Sequence, residues 1–450
     1  MVKKLIPQSI KNIYHLFQAI LANFMYGFPA SSAGRPSKNI KIIGVTGTNG
    51  KTTTVQMITK ILEESGASVA MASTINFKLG EKEWVNATKF TTLSSFQVQK
   101  FIAQAVKASC EYLVLETSSH SLDQFRTWGI VYDTAVITNV TREHLDYHKT
   151  IEEYRQAKLK LFKGAKNAVV NLDMENPEEF LKYNNKNIFL YSCHPELVSG
   201  SRFQILCLPA VRKSGMTLIK AEDIKLEINF SNYKLGAISY KLNMPGLFNI
   251  ENALAASCVG FAYGISDDII KNALEKIQGV LGRMEKVPNN RGLEIIIDYA
   301  VTPDSLEKVY ELISESWTSN VHDGHSMSKG RIISVFGSCG ERDRGKRPMM
   351  GEIVSRFADY IIVTNEDPYN EDPMQIINEV ASGIKNKIEN ENFWIIMDRR
   401  EAIKKALQLA KPGDIFVITG KGAEEVMAIG AQRIPWNEKK VILEELEKIT

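Results

Sequence analysis

The sequence predicts an α/β protein, and three observations carry that reading. Short apolar runs alternate with helical segments along most of the chain, the pattern of a mostly parallel sheet with helices on both faces. One run, KIIGV at 41–45, leads into the glycine turn TGTNGKTTT and then into a helical pattern. A second series of apolar runs begins near Gly282 and extends to the C-terminal part of the chain.

The 450 residues give room for two or three domains with substantial cores. Residues 13–28, IYHLFQAILANFMYGF, are apolar with a helical rhythm, but the stretch contains His15, Gln18 and Asn23. It is also shorter than the roughly 20 residues of a membrane span. A helix packed on the protein's own surface is expected, with peripheral membrane contact as the alternative. Residues 31–39, SSAGRPSKN, read as a linker. The segment 1–38 is therefore set apart as a short helical piece.

A central nucleotide domain is expected over 39–281. KIIGV is followed by the helix TVQMITKILEESG, and YLVLE (112–116), TAVITNV (134–140) and AVVNL (168–172) read as buried parallel strands. Residues 191–227 are less regular, with HPELVSGS at 194–201 as an inserted loop. A β-rich patch is expected around IKLEINF and AISYKLN, before the buried helix in MPGLFNIENALAASCVGFAYG. A C-terminal, Rossmann-like α/β domain is expected over 282–450. Its strands are LEIIIDYA (293–300), RIISVFG (331–337), YIIVTN (360–365), FWIIMD (393–398) and DIFVITG (414–420), with a polar loop at 314–330.

A net charge of +3 is nearly balanced and gives no global field for nucleic acid. Cys110, Cys193, Cys207, Cys258 and Cys339 form no CxxC pair and are odd in number. They read as reduced thiols of a cytoplasmic protein rather than a disulfide frame or zinc site.

A strand, a glycine turn and GKT opening a helix make an anion site, because backbone N–H groups and the helix N-terminus face the phosphates. Gly47, Thr48, Asn49, Gly50, Lys51, Thr52 and Thr53 form this P-loop. Lys51 would neutralise β/γ oxygens and Thr52 would offer its hydroxyl to Mg²⁺. The strict GxxxxGK[ST] spacing fails because Val45 stands five before Gly50, so the loop is a variant, GxxGTNGKTT. In LETSSHSLDQFR (115–126), Glu116 ends an apolar strand at the edge where α/β sheets bind ligands. That carboxylate reads as a metal ligand or water activator, with a structural role as the alternative. In TNVTREHLDYHKTIEEYRQAKLKLF (138–162), His144 follows another strand end. Tyr154 and Lys158 sit four apart on one helix face. Taken alone, His144 reads as a packed core residue; beside Glu116 it becomes a candidate ligand for a second metal.

Together with PGLFNIENALAA, GRMEKV, DYAVTPDSLEKV, FGSCGERDRGKRPMMG, TNEDPYNEDP and GKGAEE, these motifs occur in one order from about Lys41 to the C-terminus. The series resembles the Mur ligases, the ATP-dependent amide-forming enzymes of peptidoglycan precursor synthesis. Its last motifs are most similar to the tripeptide-forming branch, which adds an amino acid to UDP-N-acetylmuramoyl-L-alanyl-D-glutamate. The resemblance implies ATP and two Mg²⁺ ions, with Thr52 and Glu116 on the first ion and His144 on the second, Glu116 being shared. It implies a carbamylated lysine at Lys158. It also implies adenine-side contacts from Asn249 and Asn252, a phosphate contact from Arg283 and a ribose contact from Asp298. Thr91, Thr92, Ser118, Gln124 and Arg126 match contacts to the muramoyl-peptide. Arg342, the segment Glu366, Asp367, Pro368 and Tyr369, Gly420 and Glu424 match the pocket for the incoming amino acid. A cytoplasmic monomer is expected.

The sequence also departs from the family. About 38 residues precede the nucleotide domain, fewer than the family's uridine-nucleotide domain requires. Helix 13–28 is then a reduced substitute, or the carboxylate substrate lacks UDP. Where diaminopimelate-adding members carry DNPR, this chain has Glu366, Asp367, Pro368 and Tyr369. A tyrosine cannot pair bidentately with a carboxylate, so lysine or another diamine is favoured. Val301 stands where histidine is usual, and Leu93 where TTP is usual. Two alternatives stay open: a relative acting on another carboxylate, such as a folate-like polyglutamate, and a P-loop ATPase that makes no amide.

Overall fold

The computed structural model describes residues 7–30, 40–86, 91–194, 215–227, 229–319 and 330–449. The expected linker 31–39, all but the first residue of the insert 194–201, and the 320–329 part of the expected polar loop lie outside the described residues.

The N-terminal helix α1 (Gln8–Tyr26) precedes a nine-stranded sheet. Its strands are β1 (Lys41–Thr46), β2 (Val69–Ala72), β3 (Asn76–Leu79), β4 (Lys82–Val85), β5 (Tyr112–Glu116), β6 (Thr134–Ile137), β7 (Asn167–Asn171), β8 (Asn187–Ser192) and β9 (Gly215–Lys220). The spatial order is β4-β3-β2-β5-β1-β6-β7-β8-β9. Only the β2–β3 and β3–β4 pairs are antiparallel. Strand β1 lies between β5 and β6, with Val45 opposite Glu116 and Ile43 opposite Thr134. The loops after all three strands therefore emerge at one carboxyl edge, where open α/β sheets bind ligands.

Helices α2 (Lys51–Glu64), α3 (Ser95–Lys107), α4 (Ser119–Asp123), α5 (Leu145–His148), α6 (Ile151–Leu159), α7 (Leu247–Ala262) and α8 (Asp267–Glu275) accompany this sheet. Strand β5 shows why it stays in place. Its Val114 packs with Ile58 and Leu62 of α2 and Leu254 of α7 in one core. Leu113 and Leu115 point to the other face, with Val98 and Ile102 of α3. Burial on both faces is what a continuous apolar run encodes. The expected β-rich patch is a three-stranded antiparallel sheet of β10 (Glu222–Leu226), β11 (Ser231–Leu235) and β12 (Ile238–Leu242).

The second large sheet runs β13-β14-β18-β15-β16-β17. It comprises β13 (Glu285–Lys286), β14 (Glu294–Asp298), β15 (Ile332–Phe336), β16 (Tyr360–Val363), β17 (Phe393–Ile395) and β18 (Ile415–Thr419). All pairs are parallel except β13–β14. Helices α9 (Pro303–Ser319), α10 (Lys346–Phe357), α11 (Pro373–Ala381), α12 (Arg399–Leu409) and α13 (Glu438–Ile449) accompany it, and β19 (Val426–Ile429) and β20 (Gln432–Pro435) form a separate hairpin.

Three expectations shift. The strand expected over 134–140 stops at Ile137, because Thr138 and Asn139 turn to hold the phosphate loop. The strand expected over 393–398 stops at Ile395, because the Asp398 carboxylate caps α12 by accepting from the N–H groups of Arg400 and Glu401. The polar stretch from 314 continues as helix to Ser319. Among the described residues no helix is long and apolar enough to cross a membrane.

Candidate active site

The site starts with backbone geometry at the end of β1. Gly50 adopts φ +80° just before α2, and a Cβ there would sit 2.2 Å from Asn252 Oδ1. At Gly47 a Cβ would meet Thr138 Oγ1 at 1.8 Å. Both positions need glycine because the chain is packed against its supports. Asn139 Oδ1 accepts from the Thr48 and Asn49 N–H groups at 3.2 and 2.8 Å, and Thr138 Oγ1 donates to Asn49 O at 2.6 Å. Lys51 Nζ donates back to the carbonyls of Gly47 and Thr48 at 3.1 and 2.8 Å. Burial pushes its pKa down, against the attraction of Glu116.

Around this loop stand an acid, an imidazole and an amine. Glu116 is buried at the end of β5 and accepts from Thr52 Oγ1 at 3.0 Å, from the Thr74 N–H at 2.8 Å and from Thr74 Oγ1 at 2.9 Å. His144, at φ +57°, has a buried Nδ1 without a hydrogen-bond partner. Burial, then His120 and the cations Arg342, Lys346 and Lys51, hold its pKa far below the usual range, so the ring is neutral. Lys158 Nζ donates to Gly47 O at 2.6 Å and lies 4.2 Å from the centre of the Tyr154 ring. Burial and the nearby Lys51 drive its pKa well down. Among the described residues no three His, Cys, Asp or Glu side chains gather as a cage for a metal.

The C-terminal half closes over the loop. Asn49 Nδ2 donates to Asp304 Oδ2 at 2.7 Å, Lys346 Nζ pairs with Glu143 at 3.0 Å in a buried contact, and Arg142 meets Asp343 at 3.3 Å. A cavity of about 260 Å³ lies between the halves. Its wall includes Thr48–Thr53, Glu116 and His144 from one side, and Arg283, Asp298, Arg342 and Glu424 from the other.

The sequence profile of the Mur ligase middle domain matches residues 45–260, and that of the Mur ligase glutamate ligase domain matches residues 282–422. The UDP-N-acetylmuramoyl-L-alanyl-D-glutamate--2,6-diaminopimelate ligase of Syntrophomonas wolfei is 37% identical over 427 residues, covering 92% of this chain and 80% of the relative. The chain belongs to the Mur ligase family. A UDP-N-acetylmuramyl-tripeptide synthetase of Roseiflexus sp. is likewise 37% identical over 430 residues, covering 91% of this chain and 79% of that one. A solved UDP-N-acetylmuramoyl-L-alanyl-D-glutamate--2,6-diaminopimelate ligase superposes with a TM-score of 0.57 at 28% identity, over 99% of this chain and 84% of the other. The folylpolyglutamate synthase of Mycobacterium tuberculosis shares the fold at 16% identity, with a TM-score of 0.64 over 91% and 96% of the two chains.

The structure of this Mur ligase brings many of the expected residues to one cavity. Beyond those already named, Thr91, Asn249, Asn252, Asp367 and Tyr369 also line it. Asn252 Oδ1 accepts from Thr54 Oγ1 at 3.2 Å, and Asn249 Nδ2 donates to Pro245 O at 2.7 Å. Arg283 lies over the Tyr299 ring at 4.4 Å. The Asp298 carboxylate accepts from the N–H groups of Met284 and Ala300 at 2.8 and 2.7 Å.

Other expected residues stand off the cavity wall. Gly47 and Lys158 lie behind the loop. Thr92, Ser118 and Arg126 form their own cluster: Thr92 Oγ1 accepts from the Ser118 N–H at 2.9 Å, and Arg126 Nη1 donates to Thr92 O at 2.8 Å. Burial lowers the Arg126 pKa to about 10. Gln124 caps the C-terminus of α4. Glu366 accepts from Cys339 Sγ at 2.8 Å, and a Cβ at Gly420 would lie 2.6 Å from its other oxygen. Pro368 O accepts from the Glu371 N–H at 3.0 Å. Asp367, although on the cavity wall, is engaged within the protein, by Lys421 Nζ at 3.0 Å and the Ala428 N–H at 2.6 Å.

Sequence reasoning missed Asn139, Thr74 and the Glu143–Lys346 pair. Asn139, Glu143 and Lys346 fall inside motifs that were already singled out. Thr74 follows β2 with no motif around it, and only the fold brings it to Glu116.

Proposed function

We propose that the protein is an ATP-dependent ligase that joins a diamino acid to UDP-N-acetylmuramoyl-L-alanyl-D-glutamate through an acyl phosphate, in peptidoglycan precursor synthesis. One observation carries this reading: the phosphate loop, the Glu116 carboxylate and the Arg342 guanidinium face a single cavity. A plain ATPase has no use for Arg342 on the far wall.

The loop amides and Lys51 hold the triphosphate and offset charge on the γ-phosphoryl as the substrate carboxylate attacks in line. A carboxylate is a poor electrophile; once phosphorylated, its acyl carbon accepts the incoming amine, and phosphate leaves after a tetrahedral intermediate. Closure of the C-terminal half brings the amine close and keeps water out. Thr52 and Glu116, already hydrogen-bonded to each other, and the unpartnered His144 Nδ1 are hard oxygen and neutral nitrogen donors that fit two Mg²⁺ ions. When bound, the metal ions neutralise phosphate charge. Lys158 suits carbamylation: its neutral amine attacks CO₂, a C–N bond forms as one C=O π bond opens onto oxygen, the nitrogen loses a proton, and a neutral amine becomes an anionic carbamate oxygen donor. Asn249, Asn252, Arg283 and Asp298 take the adenosine side, and Thr91, Thr92, Ser118, Gln124 and Arg126 the muramoyl-peptide. Arg342, the 366–369 segment, Gly420 and Glu424 take the amino acid. Tyr369 offers no ion pair to a second side-chain carboxylate, which favours lysine. The protein works in the cytoplasm as a monomer.

The test is a panel of amino acids with UDP-muramoyl dipeptide and ATP, scored by product mass alongside phosphate release. Release that waits for both acid and amine, with a lysine tripeptide as product, is expected. Fast release with neither present overturns the ligase reading, and a product only with diaminopimelate overturns the choice of lysine.

A further inference from the structure

Among the described residues, helix α1 is docked on one side and bare on the other. Its inner face is held by Asn12 Nδ2, which donates to Asp123 Oδ2 at 3.1 Å, by Gln8 Nε2, which donates to the Tyr147 hydroxyl at 3.0 Å, and by Asn23 Nδ2, which donates to Trp128 O at 2.9 Å. Ala19, Ala22 and Asn23 are fully buried. The outer face carries Ile13, Phe17, Leu21, Phe24 and Met25, and Phe17, Phe24 and Met25 are 64%, 67% and 69% exposed. At 3.6 residues per turn these positions, with Ile10 and Tyr14, fall in one stripe covering roughly a third of the circumference. Trp128 and Val131, on the segment bonded to the C-terminal end of α1, are exposed beside it.

In sequence, the charge of this N-terminal segment is one-sided. The chain has no Asp or Glu before Glu63, whereas Lys3, Lys4, Lys11, Arg35 and Lys38 lie in or next to α1 in sequence. We propose that this face lies on an anionic lipid surface as a peripheral anchor, with the apolar stripe in the headgroup–acyl boundary and the lysines against the headgroups. The inner-face asparagine bonds fix α1 along the protein surface, so it lies in the interface plane rather than across it. A second copy is the poorer occupant, because self-pairing would bring together two segments that each carry basic residues and no acidic ones, whereas anionic headgroups neutralise them. The proposal does not depend on the ligase reading.

The experiment is flotation of the full-length protein with vesicles of 30% phosphatidylglycerol in phosphatidylcholine and with pure phosphatidylcholine vesicles. Sedimentation velocity without lipid runs in parallel. The protein is expected to float with the anionic vesicles and to remain monomeric without them. Phe17→Ser with Phe24→Ser is expected to weaken partition by roughly tenfold or more. Lys3→Ala with Lys4→Ala is expected to weaken it by about fivefold per lysine. Both pairs should keep the wild-type circular dichroism spectrum, since no exposed apolar contact is needed for the fold. Equal binding to the neutral vesicles, binding unchanged in the Phe pair, or dimerisation in place of flotation overturns the proposal.

Discussion

Glu251 shows how much one side chain on the wall of the cavity between the halves depends on its surroundings. Burial, helped by Asp173 and Asp304 and opposed by Lys308, raises its pKa from 4.5 to about 7. Between those values the folded protein holds a proton that the unfolded chain has released. The neutral carboxyl therefore contributes stability in full below 4.5, and that contribution is lost as pH rises through 7. Glu251→Gln removes the titration. Compared with the variant by urea unfolding, the wild type is expected to lose about 1–3 kcal/mol between those pH values. A flat difference would show that the carboxyl is solvated.

At the scale of elements, α12 and α13 are joined by one buried pair. Arg399 donates to Glu438 at 2.8 Å and to Thr419 O at 2.8 Å, with both side chains 1% exposed. Glu438→Gln leaves the guanidinium buried without its counter-charge. It is expected to cost about 3–5 kcal/mol, read as a fall in denaturant midpoint, and Arg399→Met with Glu438→Leu should recover much of it. The elements were legible where burial is two-sided. YLVLE and DIFVITG read as strands because every position faces a core. The phosphate loop was legible because its glycines, lysine and threonines are contiguous. Strands β3 and β4 were not legible, since four-residue hairpin arms with exposed sides leave no continuous apolar run. Nor was the Glu143–Lys346 pair, whose partners lie far apart in the chain and meet only when the two sheets face each other.

For the molecule as a whole, that pair is a buried ion pair between the halves. Lys346 and Glu143 are 3% and 8% exposed, so removing either one strands a charge while removing both does not. In a double-mutant cycle, Lys346→Met and Glu143→Gln should each raise KM for the amino acid more than the pair does together, with a coupling of about 1–3 kcal/mol. Additive effects would mean that the two residues act separately. The amide of Asn49, tied to Asp304, adds a consequence. The glycine turn at the end of β1 is thereby tethered to the opposite wall, so any parting of the two halves must first unlatch that hydrogen bond.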